Sequence, residues 1–393
     1  MSAPFNIMCF AWNAAGLRLC ETMSQAKADQ ARKGFVAFAT RKKPCLAPDF
    51  FEEIRTIIIN RRASLVVMTT EDEDVSDTYF HSDLLPSAMS EIGYSLVKRD
   101  KQANVGNVAS KIPLPRVPTG NPSGSALRIS MYARNDVLPE LIMEERFLER
   151  FFGNNGQIQA TCRQDERISG AIASYVWHQV YGKFVFIATS FPAGLDSLKV
   201  GDGLDYESYR AASRSANKLC LISLLNRFVD NMEANSRPDH VFILGDLNFD
   251  IVVPNKRNIE VVTQLATNTT AANLRDLQKY DELRDSMKEA PLSGFKEGVS
   301  NEGPLFMPTW RLTRNRPAAC SPTKDVSKVE PGCFESGEST AGGIGWHDRI
   351  LYKENMTSHY ITHCVEYNRL DIKNMVASNH AGVIGVYEMR AIS

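Results

Sequence analysis

The chain lacks a strong net charge, a long apolar run and any closely spaced cysteine pair, and each absence removes a class of function. Lys and Arg number 45 and Asp and Glu 46, a formal charge of -1 over 393 residues. No long-range field therefore draws the protein onto nucleic acid or an anionic membrane, and phosphate recognition must be local. No uninterrupted apolar stretch approaches the roughly 20 residues of a membrane-crossing helix. The opening Met1-Ser-Ala-Pro-Phe-Asn6 has no basic region followed by an apolar signal core. These features lead us to expect a soluble, cytoplasmic protein, with membrane contact restricted to the periphery through one exposed loop. The 8 cysteines (Cys9, Cys20, Cys45, Cys162, Cys220, Cys320, Cys333 and Cys364) are scattered with no C-x-x-C pair. That argues against both zinc and a dense disulfide framework, and the expectation is reduced thiols, several of them filling the core. There is no internal repeat and no linker that would divide the chain.

What is present is enough apolar residue for a large core, 43% of the chain, and a single domain over residues 1–393 is expected. Runs 6–12, 64–68, 127–132, 171–177, 184–188, 241–244 and 383–387 read as strands, several apolar on both faces as in sheets covered from both sides. Helical periodicity falls between them. Asp49 is placed to cap a helix carrying Phe50, Ile54, Ile57 and Ile58 on one face, and Leu221, Leu224, Leu225 and Phe228 form the stripe of another. Strands interleaved with helices give an α/β domain, two sheets face to face with helices outside. Residues 98–125 and 315–343, rich in Lys, Asn, Pro and Gly without periodicity, read as long surface loops.

The apolar run 241–244 ends in Gly245-Asp246-Leu247-Asn248. On an extended backbone, residues two apart point to one face, so Asp246 and Asn248 would converge. A carboxylate there can orient or deprotonate a water, and an amide can donate to a phosphoryl oxygen as charge grows on it. Gly, Asp and Asn are equally the residues of an ordinary turn, so this block alone leaves the two readings level. Downstream, in order, stand L-x-x-Y-D-E-L from Leu277, Gly294-Phe-Lys-Glu-Gly298, Pro308-Thr-Trp-Arg311 and Trp346-His-Asp-Arg-Ile-Leu351. Upstream, Trp12-Asn13 ends the first strand and Glu71 follows the run 64–70.

This order of blocks resembles the inositol polyphosphate 5-phosphatases of the endonuclease/exonuclease/phosphatase superfamily. There the corresponding blocks read W-N, Q-E, G-F-x-E-G, P-T-Y-K and W-C-D-R-I-L. The resemblance spans residues 13–380 and implies a four-layer α/β/β/α sandwich of two packed mixed sheets, deoxyribonuclease-I-like. It implies a phosphomonoesterase acting on inositol phosphates or phosphoinositide head groups, with Mg²⁺ held by Glu71 and Asn13, an oxygen-rich set that suits that ion. Asp246 would orient the attacking water, Asn248 and His380 would stabilise the phosphoryl group, and Asp348 would pair with a neighbouring base. Arg311, standing where the family has lysine, and Arg349 would bind substrate phosphate; at Arg311 a planar fork replaces a compact ammonium. Thr70 replaces the family's Gln beside Glu71, and Glu71-Asp72-Glu73-Asp74 taken without the family pattern is an acidic loop.

Two positions depart from the pattern. Ser378-Asn379-His380 stands where the superfamily has S-D-H, so an uncharged amide replaces a carboxylate that would ligate metal or support an imidazolium. Run 184–194 aligns with a strand ending in N-S-H-L and puts Phe191 where a histidine would meet the reacting phosphate. No nearby histidine replaces it: His178 lies on the preceding strand, and His81, His240, His347 and His363 read as loop or edge residues. Phe191 and Asn379 keep a second class of function open, a pseudoenzyme of the same fold serving as a phosphate-binding or assembly component with protein partners. A nuclease ranks third, since the near-neutral charge and the P-T-W-R and W-H-D-R-I-L blocks disfavour a nucleic-acid partner.

Overall fold

The computed structural model describes residues 5–14, 47–74, 85–97, 110–114, 125–142, 148–152, 170–190, 237–253, 270–289, 292–314, 333–334, 344–355, 358–370 and 378–392. In chain order these contain β1 (Asn6–Asn13), α1 (Ala47–Arg61), β2 (Leu65–Asp74), α2 (Leu85–Glu91), β3 (Tyr94–Leu96), β4 (Ser110–Leu114) and β5 (Ser125–Arg134). There follow β6 (Leu141–Ile142), β7 (Leu148–Phe152), β8 (Gly170–His178), β9 (Gly182–Ser190) and β10 (His240–Asp246). The last elements are α3 (Ala271–Gln278), α4 (Glu282–Ser286), β11 (Lys296–Glu297), β12 (Asp348–Glu354), β13 (Tyr360–Leu370) and β14 (Gly382–Ala391).

One sheet runs β13-β14-β1-β2-β5-β3 with β4 also on β5; the other runs β11-β12-β10-β9-β8-β6 with β7 also on β8. Both are mixed: β1 pairs parallel with β2 and β9 parallel with β10, each parallel pair flanked by antiparallel neighbours. Alternation along the central strands explains the layering. Ile7 and Cys9 of β1, Leu65 and Val67 of β2, and Phe184, Phe186, Phe242 and Leu244 of β9 and β10 meet in one cluster between the sheets. The intervening Met8, Phe10 and Trp12 turn outward onto Ile54 and Ile58 of α1 and Leu85 and Met89 of α2. On the far side Val185, Ile187, Val241 and Ile243 pack with Leu283, Leu292 and Phe295. Strands apolar on both faces are thus covered on both faces, and the architecture is an α/β sandwich of two packed mixed sheets.

Several expectations are corrected. Residues 110–114 form β4 inside the stretch read as a loop, because Lys111, Ile112 and Pro113 pair with Arg128, Leu127 and Ala126 of β5. Helix α1 begins at Ala47, so Asp49 lies in its first turn and does not cap it. Glu71-Asp72-Glu73-Asp74 continues β2, not a loop, with a register shift against β5 between Thr70 and Glu73. Cys333 is disulfide-bonded, whereas Cys9 and Cys364 are free and buried as core fillers. The expectation of reduced thiols therefore fails at Cys333. The helix expected at 221–228, Phe191 and His81 lie outside the described residues. Among the described residues, no helix is long and apolar enough to cross a membrane.

Candidate active site

Strand register assembles one acidic cluster at a common end of the two sheets. Asn13, the last residue of β1, lies directly opposite Glu71 on β2. Asp246, the last of β10, lies opposite Asp348, the first of β12. Gly245 lets the two sheets meet there. Its φ of +133° is one that side-chain-bearing residues rarely adopt, and a Cβ at this position would collide with the Thr189 carbonyl and come within 2.9 Å of the Glu71 carboxylate.

Hydrogen bonds then tie the sheets together. Asn13 donates from its side-chain amide to Asp246 Oδ2 at 2.7 Å and from its backbone to Asp348 Oδ1 at 2.9 Å. His380 Nδ1 lies 2.8 Å from Asp348 Oδ2. Ser378 holds the approach to β14, donating to the Asn13 carbonyl and accepting from the His380 amide. Asn13, Glu71, Asp246, Asp348 and His380 are all buried, and their side chains converge.

The geometry around Asn248 corrects the reading of an extended Asp-x-Asn. β10 ends at Asp246, and Asn248 has a φ of +52°, a left-handed turn that asparagine tolerates. Asp246 Oδ1 accepts from the Asn248 backbone amide at 3.1 Å, so Asn13 supplies the side-chain amide on this carboxylate. Arg349 is also corrected. It is completely buried, with Nε and Nη2 on Glu297 at 2.6 and 2.5 Å and Nη1 and Nη2 on Asp281 at 3.2 and 2.8 Å. The fifth N–H, on Nη1, goes to the Trp346 carbonyl at 3.2 Å, so this guanidinium has no N–H to offer a phosphate. Arg311 remains a half-buried cation on a left-handed backbone, φ +65°, directly after Trp310.

Glu71 bears most directly on a metal. Both its carboxylate oxygens are buried without a hydrogen-bond partner. Burial first, then the charges of Asp348 and Asp246, push its pKa well above the ordinary carboxylate value, against weaker opposing influences from Thr69 and its own backbone amide. Burial likewise raises Asp246, with Asp348 adding to the shift and His380 opposing it. Among the described residues no group of three or more His, Cys, Asp or Glu side chains is arranged as a ligand set. Mg²⁺ needs fewer, since it keeps several waters and binds through one or two carboxylates. Three buried carboxylates, one of them orphaned, fit such an ion.

This yields a test without a substrate. Because the folded-state pKa values of Glu71 and Asp246 are raised, their contribution to stability is full below the unfolded carboxylate pKa and is lost as pH rises through the folded values. In thermal melts, Glu71→Gln is expected to raise the Tm of the metal-free protein by a few degrees at about pH 7.5 and to change it less at about pH 5. It should also shrink the stabilisation conferred by Mg²⁺. Equal melting of the two proteins at both pH values, with and without Mg²⁺, would contradict this account of Glu71.

Residues that the sequence did not single out complete the cluster. His347, read as a bland loop residue, is buried and bonded through Nε2 to Asp250 Oδ1 at 2.9 Å. Burial lowers its pKa to about 3, so it stays uncharged at neutral pH. Thr309 Oγ1 accepts from the amides of both His347 and Asp348. Asn379, at the charge-losing position, has a buried side-chain oxygen with no hydrogen-bond partner. His240, read as an edge residue, is buried between Thr362 and Tyr181, far along β10 from the cluster. The signal for His347 was its position between Trp346 and Asp348; nothing local predicted its partner 97 residues away.

Residues 205–386, less than half of the chain, match the model of Endonuclease/Exonuclease/phosphatase family 2. The segment includes Asp246, Asn248, Arg311, Asp348, Asn379 and His380, and leaves Asn13 and Glu71 outside. No curated protein is significantly similar in sequence. Among solved structures, a Cimex nitrophorin in its ferrous NO complex is 13% identical, with a TM-score of 0.55 and 100% of both chains covered. The inositol polyphosphate 5-phosphatase domain of SPSYNAPTOJANIN, solved with inositol (1,4)-bisphosphate and calcium ion, is 14% identical with a TM-score of 0.51 over 99% of this chain and 86% of that one. Two such different neighbours show that architecture alone does not set chemistry, which must be argued from the site. The two-sheet architecture is shared with these solved structures, and the match to the endonuclease/exonuclease/phosphatase model is confined to residues 205–386.

Proposed function

We propose that the protein is a divalent-metal-dependent phosphomonoesterase acting on inositol phosphates or phosphoinositide head groups. The observation that carries the reading is the convergence of Glu71, Asp246 and the Asp348–His380 pair at one buried sheet end, bridged by Asn13.

Asp246 has one oxygen on the Asn13 amide and the other on the Asn248 backbone N–H, which fixes the carboxylate plane. Its role is to orient a water and take its proton as the water attacks phosphorus and the ester P–O bond breaks, the inositol oxygen leaving as the alcohol with a proton from solvent. His380, held at Nδ1 by Asp348, presents its other ring nitrogen to a phosphoryl oxygen on which charge is growing. Glu71 and Asn13 would hold Mg²⁺, which when bound supplies electrostatic stabilisation of the phosphoryl oxygens. Arg311 would contact substrate phosphate from the protein surface. Resemblance to 5-phosphatase blocks, and a neighbour solved with an inositol bisphosphate, support the substrate class.

A second reading rests on Asn379. Its uncharged, unpartnered amide oxygen reduces the negative charge available to a cation, which favours a phosphate-binding protein with little turnover. Phosphate release from a panel of inositol phosphates, phosphoinositides in vesicles and a phosphodiester, with Mg²⁺ or with EDTA, separates these. EDTA-sensitive release from the inositol monoesters supports the phosphomonoesterase. Release confined to the diester, or none from any substrate, would overturn it.

A further inference from the structure

We infer that His347 is a positioning residue for His380, acting through the ring of Trp310. Two histidine–carboxylate pairs lie side by side at this sheet end: His380 with Asp348 at 2.8 Å and His347 with Asp250 at 2.9 Å. Their rings are 6.2 Å apart. The Trp310 indole contacts both, stacked on His347 at 5.3 Å and 21° and tilted against His380 at 4.4 Å and 41°.

The backbone around this sandwich is pinned on each side. Thr309 and Trp310 donate to the Gly345 carbonyl, Ala381 donates to the Thr309 carbonyl, and Thr309 Oγ1 takes the amides of His347 and Asp348. Trp310 bridges to both Gly345 and His380.

Asp348 fixes one nitrogen of His380, and the orientation of the ring about that contact is set by what packs on its face. Trp310 supplies that packing. Trp310 is itself half-buried, so it needs a backing, and His347 is the flat side chain stacked on it. Asp250 sets the orientation of His347 by engaging Nε2, which makes Nε2 the protonated nitrogen of the neutral ring; Nδ1 is left without a partner. An imidazole serves here because it stacks like an aromatic ring while giving the buried Asp250 carboxylate a donor. The P-T-W-R block thus clamps the His380–Asp348 pair as well as presenting Arg311.

The kinetic part of the test rests on the proposed phosphomonoesterase activity; the spectroscopic part does not, so the two can fail separately. Imidazole resonances of His380 in the full chain, assigned by their loss in His380→Gln, are compared in wild type, Trp310→Ala, Trp310→Phe and His347→Ala. Trp310→Ala and His347→Ala should shift and broaden the His380 signal, whereas Trp310→Phe should retain it. Where activity is measurable, His347→Ala should lower kcat by about tenfold to a hundredfold with KM nearly unchanged, the signature of a misplaced group. Because His347→Ala removes the imidazole from the buried Asp250 and risks unfolding, the double variant Asp250→Asn/His347→Phe keeps a stacked ring without the buried charge. It should retain the His380 signal. An unmoved His380 signal in folded His347→Ala, or a lost one in the folded double variant, would overturn the inference.

Discussion

Replacing Arg349 by methionine is expected to cost about 3–5 kcal/mol of folding stability, because breaking a buried ion pair from one side leaves uncompensated charge. Arg349 is 0% exposed and sits between Asp281 and Glu297, which are 1% exposed each. Burial works against its charge, but the two carboxylates hold the guanidinium firmly protonated. Removing it strands both acids. Tyr367 still donates to Glu297 at 2.7 Å, and Asp281 still accepts from the Leu283 amide at the start of α4, but neither neutralises a charge. The companion triple variant Arg349→Met/Asp281→Asn/Glu297→Gln should recover most of the loss, since the uncompensated charge goes with the acids. Urea denaturation measures both. A cost below about 1 kcal/mol for Arg349→Met would show that the site tolerates the stranded acids, as exposed ion pairs do.

Asp246→Asn is expected to lower phosphomonoesterase turnover by about 10²- to 10⁴-fold, the range for losing one positioned acid–base or charge-stabilising group. The substitution keeps the shape of the side chain, and the 3% exposure of Asp246 at a strand end leaves the core contacts of β10 in place. It replaces the proton acceptor by an amide that cannot take a proton. Circular dichroism and a thermal melt check that the fold survives. Turnover within a few fold of wild type in the folded variant would remove Asp246 from the role of water-orienting group.

Much of the fold was legible because the central strands carry their own signal. The runs around Phe10, Val67, Phe186 and Phe242 are apolar on both faces, and a strand covered on both sides reads that way wherever it occurs. Among the strands that were missed, β13 has mixed faces. β13 alternates buried Thr362, Cys364 and Tyr367 with exposed Ile361, Val365 and Asn368, and is broken by a register shift at Cys364. β4 gains its identity only by pairing with β5.

At the site, the end of run 241–244 pointed to Asp246, and the resemblance to the 5-phosphatase blocks picked out Asn13, Glu71, Asp348 and His380; the structure gathers all five. Sequence spacing could not show whether a charged side chain faces a ligand or another charge. Arg349 and Arg311 look alike in the sequence, yet one is closed in by Asp281 and Glu297, and only the three-dimensional arrangement brings those acids to it. His347 was overlooked for the same reason, since Asp250 and Trp310 give it a role only when three separate segments meet.

The most direct test compares phosphate release by wild type and by Asp246→Asn, purified in parallel, from inositol polyphosphates with Mg²⁺ present. The account predicts release by the wild type that is abolished by EDTA and falls by at least about a hundredfold in the variant. Equal release from the two proteins, or none from the wild type with any inositol phosphate or phosphoinositide, would contradict it.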